Sequence, residues 1–355
     1  MSSGLSLSQI MPPIEVIFEQ LAANLIATGL KGVVLYATKN TAQSNLVELF
    51  SFTDANNITG LTSVDAAQVK NIFLGNVKQV IVITYSTQFS DCANLIGAQN
   101  FDWLVCDDAN EQTNVALYGK ENAVKTVVFN YAADDMHVVN FTNPSVLLDD
   151  GVTIQTGLEY LPRVAGALAG LPYTEDACAL TFTDLASVTM PANMELGQFI
   201  LYNDPSGVKV ANPVNSLLTL TTNITADMQS ICIVEGMDRM TADIKAAFAQ
   251  SYKGKYKNMY NYQCLLIAAV NYYFTVLGNM EILDPNYNNV CSVDTVTQQA
   301  LWIADGYNGT NGNEDASTWT DIQIKNNAYK KQVLLLNNVK FLDGMDSLQF
   351  TVQMM

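Results

Sequence analysis

The sequence predicts a mixed α/β fold, and three observations carry that prediction. Between Phe101 and Tyr131 a strand, a helix and a second strand follow one another. Strand, helix, strand within about 30 residues is a βαβ unit, which implies a parallel sheet. Elsewhere short apolar runs alternate with turn residues, as in hairpins. Apolar residues make up 49% of the chain and charged residues 14%, ample for a buried core and far from the composition of a disordered chain. A length of 355 residues accommodates about two domains.

The elements follow in order. Residues 1–13, MSSGLSLSQIMPP, are Ser-rich and uncharged and end in Pro12 and Pro13, which reads as a flexible arm stopped by prolines. Ile14, Val16 and Phe18 then form a strand close to the terminus. GLKGVVLYATK holds a β-run over residues 33–36. Residues 40–95 alternate short apolar runs with turns, and VKQVIVITYS is the clearest strand among them. Its apolar run over residues 80–83 predicts burial on both faces. FDWLVCDD is a strand, NEQTNVALYGKENA a helix with Gly119 inside it or near its end, VKTVVFNY the next strand, and DMHVVNF a further one after a turn over 132–135.

GLEYLPRVAGALAGL, residues 157–171, predicts a helix whose small residues permit close packing. GQFILYNDPSGVKVA predicts a hairpin, with strands over 199–202 and 208–211 around an Asp-Pro-Ser-Gly turn. TADIKAAFAQSY predicts a helix started by Thr241 or Asp243, and NYQCLLIAAVNYYFTVLGN one closed by Gly278. A polar Gly/Asn loop occupies 306–318. VLLLNN is then a strand, Asp343 and Gly344 a turn, and DSLQFTVQMM a final strand. In that last run Leu348, Phe350 and Val352 alternate with Gln349, Thr351 and Gln353, a half-buried strand pattern. Such an uncharged strand at a chain end either completes its own sheet or belongs in the sheet of another chain.

Charge and composition exclude several functions. The net charge of −17 and pI near 4.2 repel phosphates, so nucleic acid is not an expected partner. CLLIAAV and NYYFTVL are interrupted at Asn271, too short and polar for a bilayer span. MSSGLSLSQIMPP has no basic residue before an apolar run, so no signal peptide is expected and synthesis in the cytoplasm is. Cys92, Cys106, Cys178, Cys232, Cys264 and Cys291 show no paired spacing and read as reduced thiols. Asn-x-Ser/Thr triplets at Asn57, Asn140, Asn223 and Asn308 read as chance in an Asn- and Thr-rich chain.

The single histidine, His137, is the one available imidazole base and reads as a strand-edge residue. Asp107 with Asp108, and Asp149 with Asp150, point to opposite faces of a strand, so each pair offers one ligand per side and reads as solvated turn acids. Gly254 with Lys255 lacks the rest of a phosphate loop. No catalytic, cofactor-binding or metal site is expected. Lys253, Lys255 and Lys257 are close in SYKGKYKN, a local positive patch in an acidic chain: a solvated loop or a docking point for an acidic partner.

Several stretches, in order, resemble contractile tail sheath proteins of phage-tail-like particles from Gram-positive bacteria, the R-type bacteriocins and defective prophage tails. They are PPIEVIFEQLAANLIATGLKGVVLYATK, VKTVVFNYAADDMHVVNF, LPRVAGALAGLP, VNSLLTLTT and IVEGMDRMTADIKAAFAQSYKGKYKNMYNY. GLPYTEDACALTFTDL is more acidic than the family's usual form. The resemblance implies an N-terminal arm (1–28), a small β-rich outer domain (29–95), an α/β core domain (96–339) and a C-terminal strand-donating arm (340–355). It implies a structural subunit, not an enzyme, without cofactor, that polymerises helically around an inner tail tube and contracts to drive the tube through a cell envelope. The alternative is a non-contractile tail tube or other virion scaffold protein. Implied partners are further copies of the chain, the inner tail tube, the baseplate and the tail terminator, with no nucleic acid and no membrane insertion. The particle would be released from the cell. Ile14, Val16, Phe18, Leu348, Phe350 and Val352 would make the inter-subunit strand exchange, and Lys253, Lys255 and Lys257 would face the tube.

Overall fold

The computed structural model describes residues 31–40, 46–51, 53–54, 61–310, 313–346 and 349–351. The chain forms two compact units, one of residues 30–237 with 343–355, the other of 1–29 with 238–342.

The first unit is built on a six-stranded sheet in the order β2-β3-β1-β4-β5-β6. The strands are β1 (Val33–Lys39), β2 (Leu46–Leu49), β3 (Gln79–Tyr85), β4 (Trp103–Cys106), β5 (Thr126–Phe129) and β6 (Val138–Phe141). Only β2 runs antiparallel. Helix α1 (Ser63–Phe73) precedes β3, α2 (Ala93–Gly97) precedes β4, and α3 (Gln112–Asn122) links β4 to β5 as the expected crossover.

Successive residues of each strand go to opposite faces, and both faces are buried. Val34, Tyr36, Val80, Val82, Trp103 and Val105 pack with Val69 and Ile72 of α1 and with helix α4 (Gly157–Gly170). Val33, Leu35, Ile81, Ile83, Leu104 and Cys106 pack on the other side with Ile96 of α2 and Val115 of α3. A sheet covered on both faces is why these strands read as continuous apolar runs rather than alternating ones.

The expected boundary after residue 95 falls between β3 and β4, yet both hydrogen-bond to β1. The described strands of 29–95 thus share one sheet with β4, β5 and β6. They supply three of its six strands, and the second edge of β1 is paired by β4.

The small residues of α4 have a geometric reason. A Cβ on Gly166 would stand 2.3 Å from the carbonyl oxygen of Ile72, and one on Gly170 would stand 1.6 Å from that of Gly75. Backbone of α4 thus lies directly on the end of α1. Thr156 and Glu159 cap α4 reciprocally. Thr62 and Asp65 do the same for α1, a capping signal legible in the sequence.

Two three-stranded antiparallel sheets complete this unit. One joins β7 (Ser145–Leu148), β8 (Ile154–Thr156) and β10 (Leu185–Val188). The other joins β9 (Thr181–Phe182) to the predicted hairpin of β11 (Leu201–Asp204) and β12 (Gly207–Val210). A buried charge cluster ties its base together. Glu235 accepts from Lys31 at 2.7 Å, from Trp103 Nε1 at 3.0 Å and from Lys125 at 3.4 Å. Burial alone would raise this carboxyl, but the ammoniums of Lys125 and Lys31 outweigh it and hold it below the usual range. Glu235→Ala removes the buried carboxylate that Lys31 and Lys125 share. It is expected to cost about 3–5 kcal/mol, read as a lower urea midpoint. An unchanged midpoint would mean that water reaches both lysines.

Helix α5 (Ile231–Ala247) starts ten residues before the expected Thr241. Ser230 is its cap, accepting from Ile233 N at 3.4 Å, and Ile231, Ile233 and Val234 are buried. Asp243 is no start signal: it accepts from Arg239 at 2.5 Å and from the Tyr273 hydroxyl at 2.6 Å. The division between the units falls within α5.

In the second unit, α6 (Tyr260–Asn279) ends as predicted near Gly278, followed by β13 (Val290–Val293), α7 (Thr295–Ala304), α8 (Asp321–Asn326) and β14 (Leu335–Asn338). Trp302 of α7 packs edge-on against Tyr307, Trp319 and Tyr329, with ring centres 4.7–6.2 Å apart.

Candidate interaction surfaces

Strands β13 and β14 form a two-stranded antiparallel sheet, with Val290 opposite Asn338 and Cys291 opposite Asn337. One of its outer edges is taken. Asn271 of α6 accepts from Cys291 N at 2.7 Å and donates to Cys291 O at 3.3 Å. Because those groups of Cys291 point away from β14, the pairs Cys291–Asn337 and Val293–Leu335 are the non-hydrogen-bonded ones. The amides and carbonyls of Leu335 and Asn337 therefore face outward on the other edge, and no strand pairs with them among the described residues. Leu336 is 57% exposed there. A lone two-stranded sheet is marginal in water, so a further strand on the β14 edge would be favoured.

The predicted final strand is absent from the described part of the C-terminal segment. Residues 349–351 have no regular structure, and Phe350 is 79% exposed. An isolated extended segment has no hydrogen-bond partner of its own, so alternation specifies a face without supplying a sheet. Leu348 and Val352 at this end, and Ile14, Val16 and Phe18 at the other, lie outside the described residues.

Lys253, Lys255 and Lys257 are all exposed in the connection between α5 and α6. A π-turn, Phe248–Tyr252, ends the first helix, and Gly254 takes the left-handed conformation at φ +76°. Tyr252, Tyr256 and Tyr262 stack in series, with ring centres 5.8 and 5.0 Å apart. They line a cavity of about 210 Å³ that also meets Lys253, Lys257 and Lys331. Of these three lysines the sequence pointed to Lys253 and Lys257, whereas Lys331 is brought to them only by the fold, and Lys255 lies outside the cavity.

The residues weighed for chemistry are used otherwise. His137 is 7% exposed at the start of β6, its Nδ1 3.5 Å from Asp135. Asp107 accepts from the Tyr36 hydroxyl at 2.8 Å, and Asp108 from that of Tyr85 at 3.2 Å, on opposite sides of the sheet. Burial first of all raises the Asp107 carboxyl to about 6. Asp150 caps its own turn, accepting from Val152 and Thr153 amides.

No protein-family model matches the chain. It is 26% identical over 366 aligned positions to the tail sheath protein of Clostridium phage phiCD119, covering 96% of this chain and 98% of that one. In structure it is similar to the sheath tail protein of Listeria innocua, with a TM-score of 0.63, 15% identity, and 81% and 94% of the two chains covered. It is also similar to the helical sheath of the anti-feeding prophage in its contracted state, with a TM-score of 0.65, 11% identity, and 99% and 97% covered. The fold is that of tail sheath proteins.

Proposed function

We infer that this chain is the structural subunit of a contractile tail sheath. The observation that carries this is the match to a phage tail sheath protein over nearly the whole of both chains. The subunit polymerises with copies of itself, encloses an inner tail tube and meets a baseplate and a tail terminator at its ends. It is made in the bacterial cytoplasm and leaves as part of an extracellular particle. Contraction is a passage to a lower-energy packing of subunits and needs no bound nucleotide.

In this reading the outward edge of β14 accepts a strand from another subunit. The donor is the run containing Leu348, Phe350 and Val352, with Ile14, Val16 and Phe18 as the second donated strand. Pairing of four or five residues adds backbone hydrogen bonds of about 1 kcal/mol each, a weak link taken singly. Many such links at once hold a lattice. A head-to-tail contact whose rotation does not close builds a helix of subunits.

Concentrated protein viewed by negative-stain microscopy, alone and with the tube protein, is expected to form striated tubes. Dispersed particles of single-subunit size under both conditions would overturn the reading. The lysine cluster supports a tube-facing role through its charge. Exchanging Lys253, Lys255 and Lys257 for Glu should abolish co-sedimentation with the tube while tubes of sheath alone persist. Unchanged co-sedimentation would assign the tube contact elsewhere.

A further inference from the structure

The C-terminal segment crosses the first unit at a place rich in metal-binding atoms. Asp176 caps a short 3-10 turn, its Oδ1 accepting from Cys178 N at 2.9 Å. The residue is only 8% exposed, and its Oδ2 is buried without a hydrogen-bond partner. Around it stand two thiols and two further carboxylates. Ligand atoms of Asp176, Cys232 and Asp343 lie within 4.8 Å of one another, as do those of Asp176, Cys178 and Asp346. Gly344 lies between the two added carboxylates so closely that a Cβ there would stand 2.7 Å from that of Asp176.

Like charges are thus brought together around a buried, unsatisfied oxygen. Burial first, then Asp346 and Asp343, push the Asp176 carboxyl up to about 6. The Cys178 and Cys232 thiols are pushed up to about 12, chiefly by burial. A cation would turn this repulsion into attraction and satisfy the orphaned oxygen.

We propose that Asp176, Cys232 and Asp343, with Cys178 and Asp346 grouped on the same Asp176, form a binding site for a borderline-soft divalent cation, zinc above all. Mixed thiolate and carboxylate donors suit zinc, whereas calcium and magnesium take oxygen alone. The metal displaces the thiol proton, which leaves to solvent, so binding weakens as pH falls. The bound ion pins residues 343–346 to the first unit and sets the point from which the rest of the C-terminal segment departs. The site does not depend on the sheath reading.

Cadmium is the direct probe, because a cadmium thiolate absorbs in the ultraviolet. The full chain is expected to develop this band with one equivalent of Cd²⁺ and to lose it on adding excess Zn²⁺. Cys178→Ser with Cys232→Ser should abolish the band, whereas Cys264→Ser should leave it. Asp343→Asn, at an exposed residue that does not endanger folding, should weaken zinc binding at least tenfold. No band in the full chain, a band surviving in the double variant, or unchanged zinc affinity in Asp343→Asn would each overturn the proposal.

Discussion

A chain ending at Gly344 is expected to fold, remain soluble and form no tubes, where the full chain forms striated ones. Residues 349–351 make no regular structure, and Phe350 is exposed, so their loss takes little from the folded units. For assembly the loss is total in principle. Each missing donor strand removes four or five backbone hydrogen bonds, about 4–5 kcal/mol, at every link of the lattice. A helical polymer is a product of many such links, so weakening each by that amount prevents growth at any accessible concentration. Negative-stain microscopy of both forms, with circular dichroism to confirm folding, gives the answer. Tubes from the truncated chain would retain the sheath and remove strand donation by this segment. A shortened chain that fails to fold would instead show that residues 345–355 belong to the core of their own subunit. Phe350→Asp and Val352→Asp, in the otherwise complete chain, separate those cases, since they break the apolar face without removing backbone.

A large loss of stability is expected from Gly166→Ala. Its Cβ would fall 2.3 Å from the Ile72 carbonyl oxygen and 2.8 Å from the Ile72 Cα, both backbone atoms. No rotamer change relieves such a contact, so α4 and α1 must separate. That parts Val164, Leu168, Val69 and Ile72, all nearly inaccessible, from one face of the sheet. Overpacking of this kind costs about 3 kcal/mol or more. Gly170→Ala, which meets the Gly75 carbonyl oxygen, should behave alike. Gly97→Ala is the control. Its nearest foreign neighbour is the Tyr118 hydroxyl at 3.6 Å, and alanine in a helix should be neutral or stabilising. Urea unfolding of the three variants ranks them. Equal midpoints would mean that α1 slides freely over α4.

Much of this could be read directly from residue order. Continuous apolar runs marked β3 as buried on both faces, spacing marked the βαβ unit of β4, α3 and β5, and turn residues marked the β11–β12 hairpin. The Ala/Gly helix was legible as a close-packing one, and the ordered resemblances pointed to tail sheath proteins. These are local signals: periodicity, turn chemistry and small residues act within one element and its immediate neighbours. Partnership between distant segments left no such trace. Nothing in residues 29–95 showed that β1 would take both β3 and β4 as neighbours, or that Glu235 would gather Lys31 and Lys125. The start of α5 was set by burial of Ile231 and Val234 behind the Ser230 cap, not by the later Thr241. Lys331 joined the lysine cluster, and Asp343 met Asp176 and Cys232, across long stretches of sequence. A strand's alternation says which side is apolar, but its hydrogen bonds need a partner whose position the whole fold must supply. That is why DSLQFTVQMM reads as strand-forming while its described residues form no strand in the single chain.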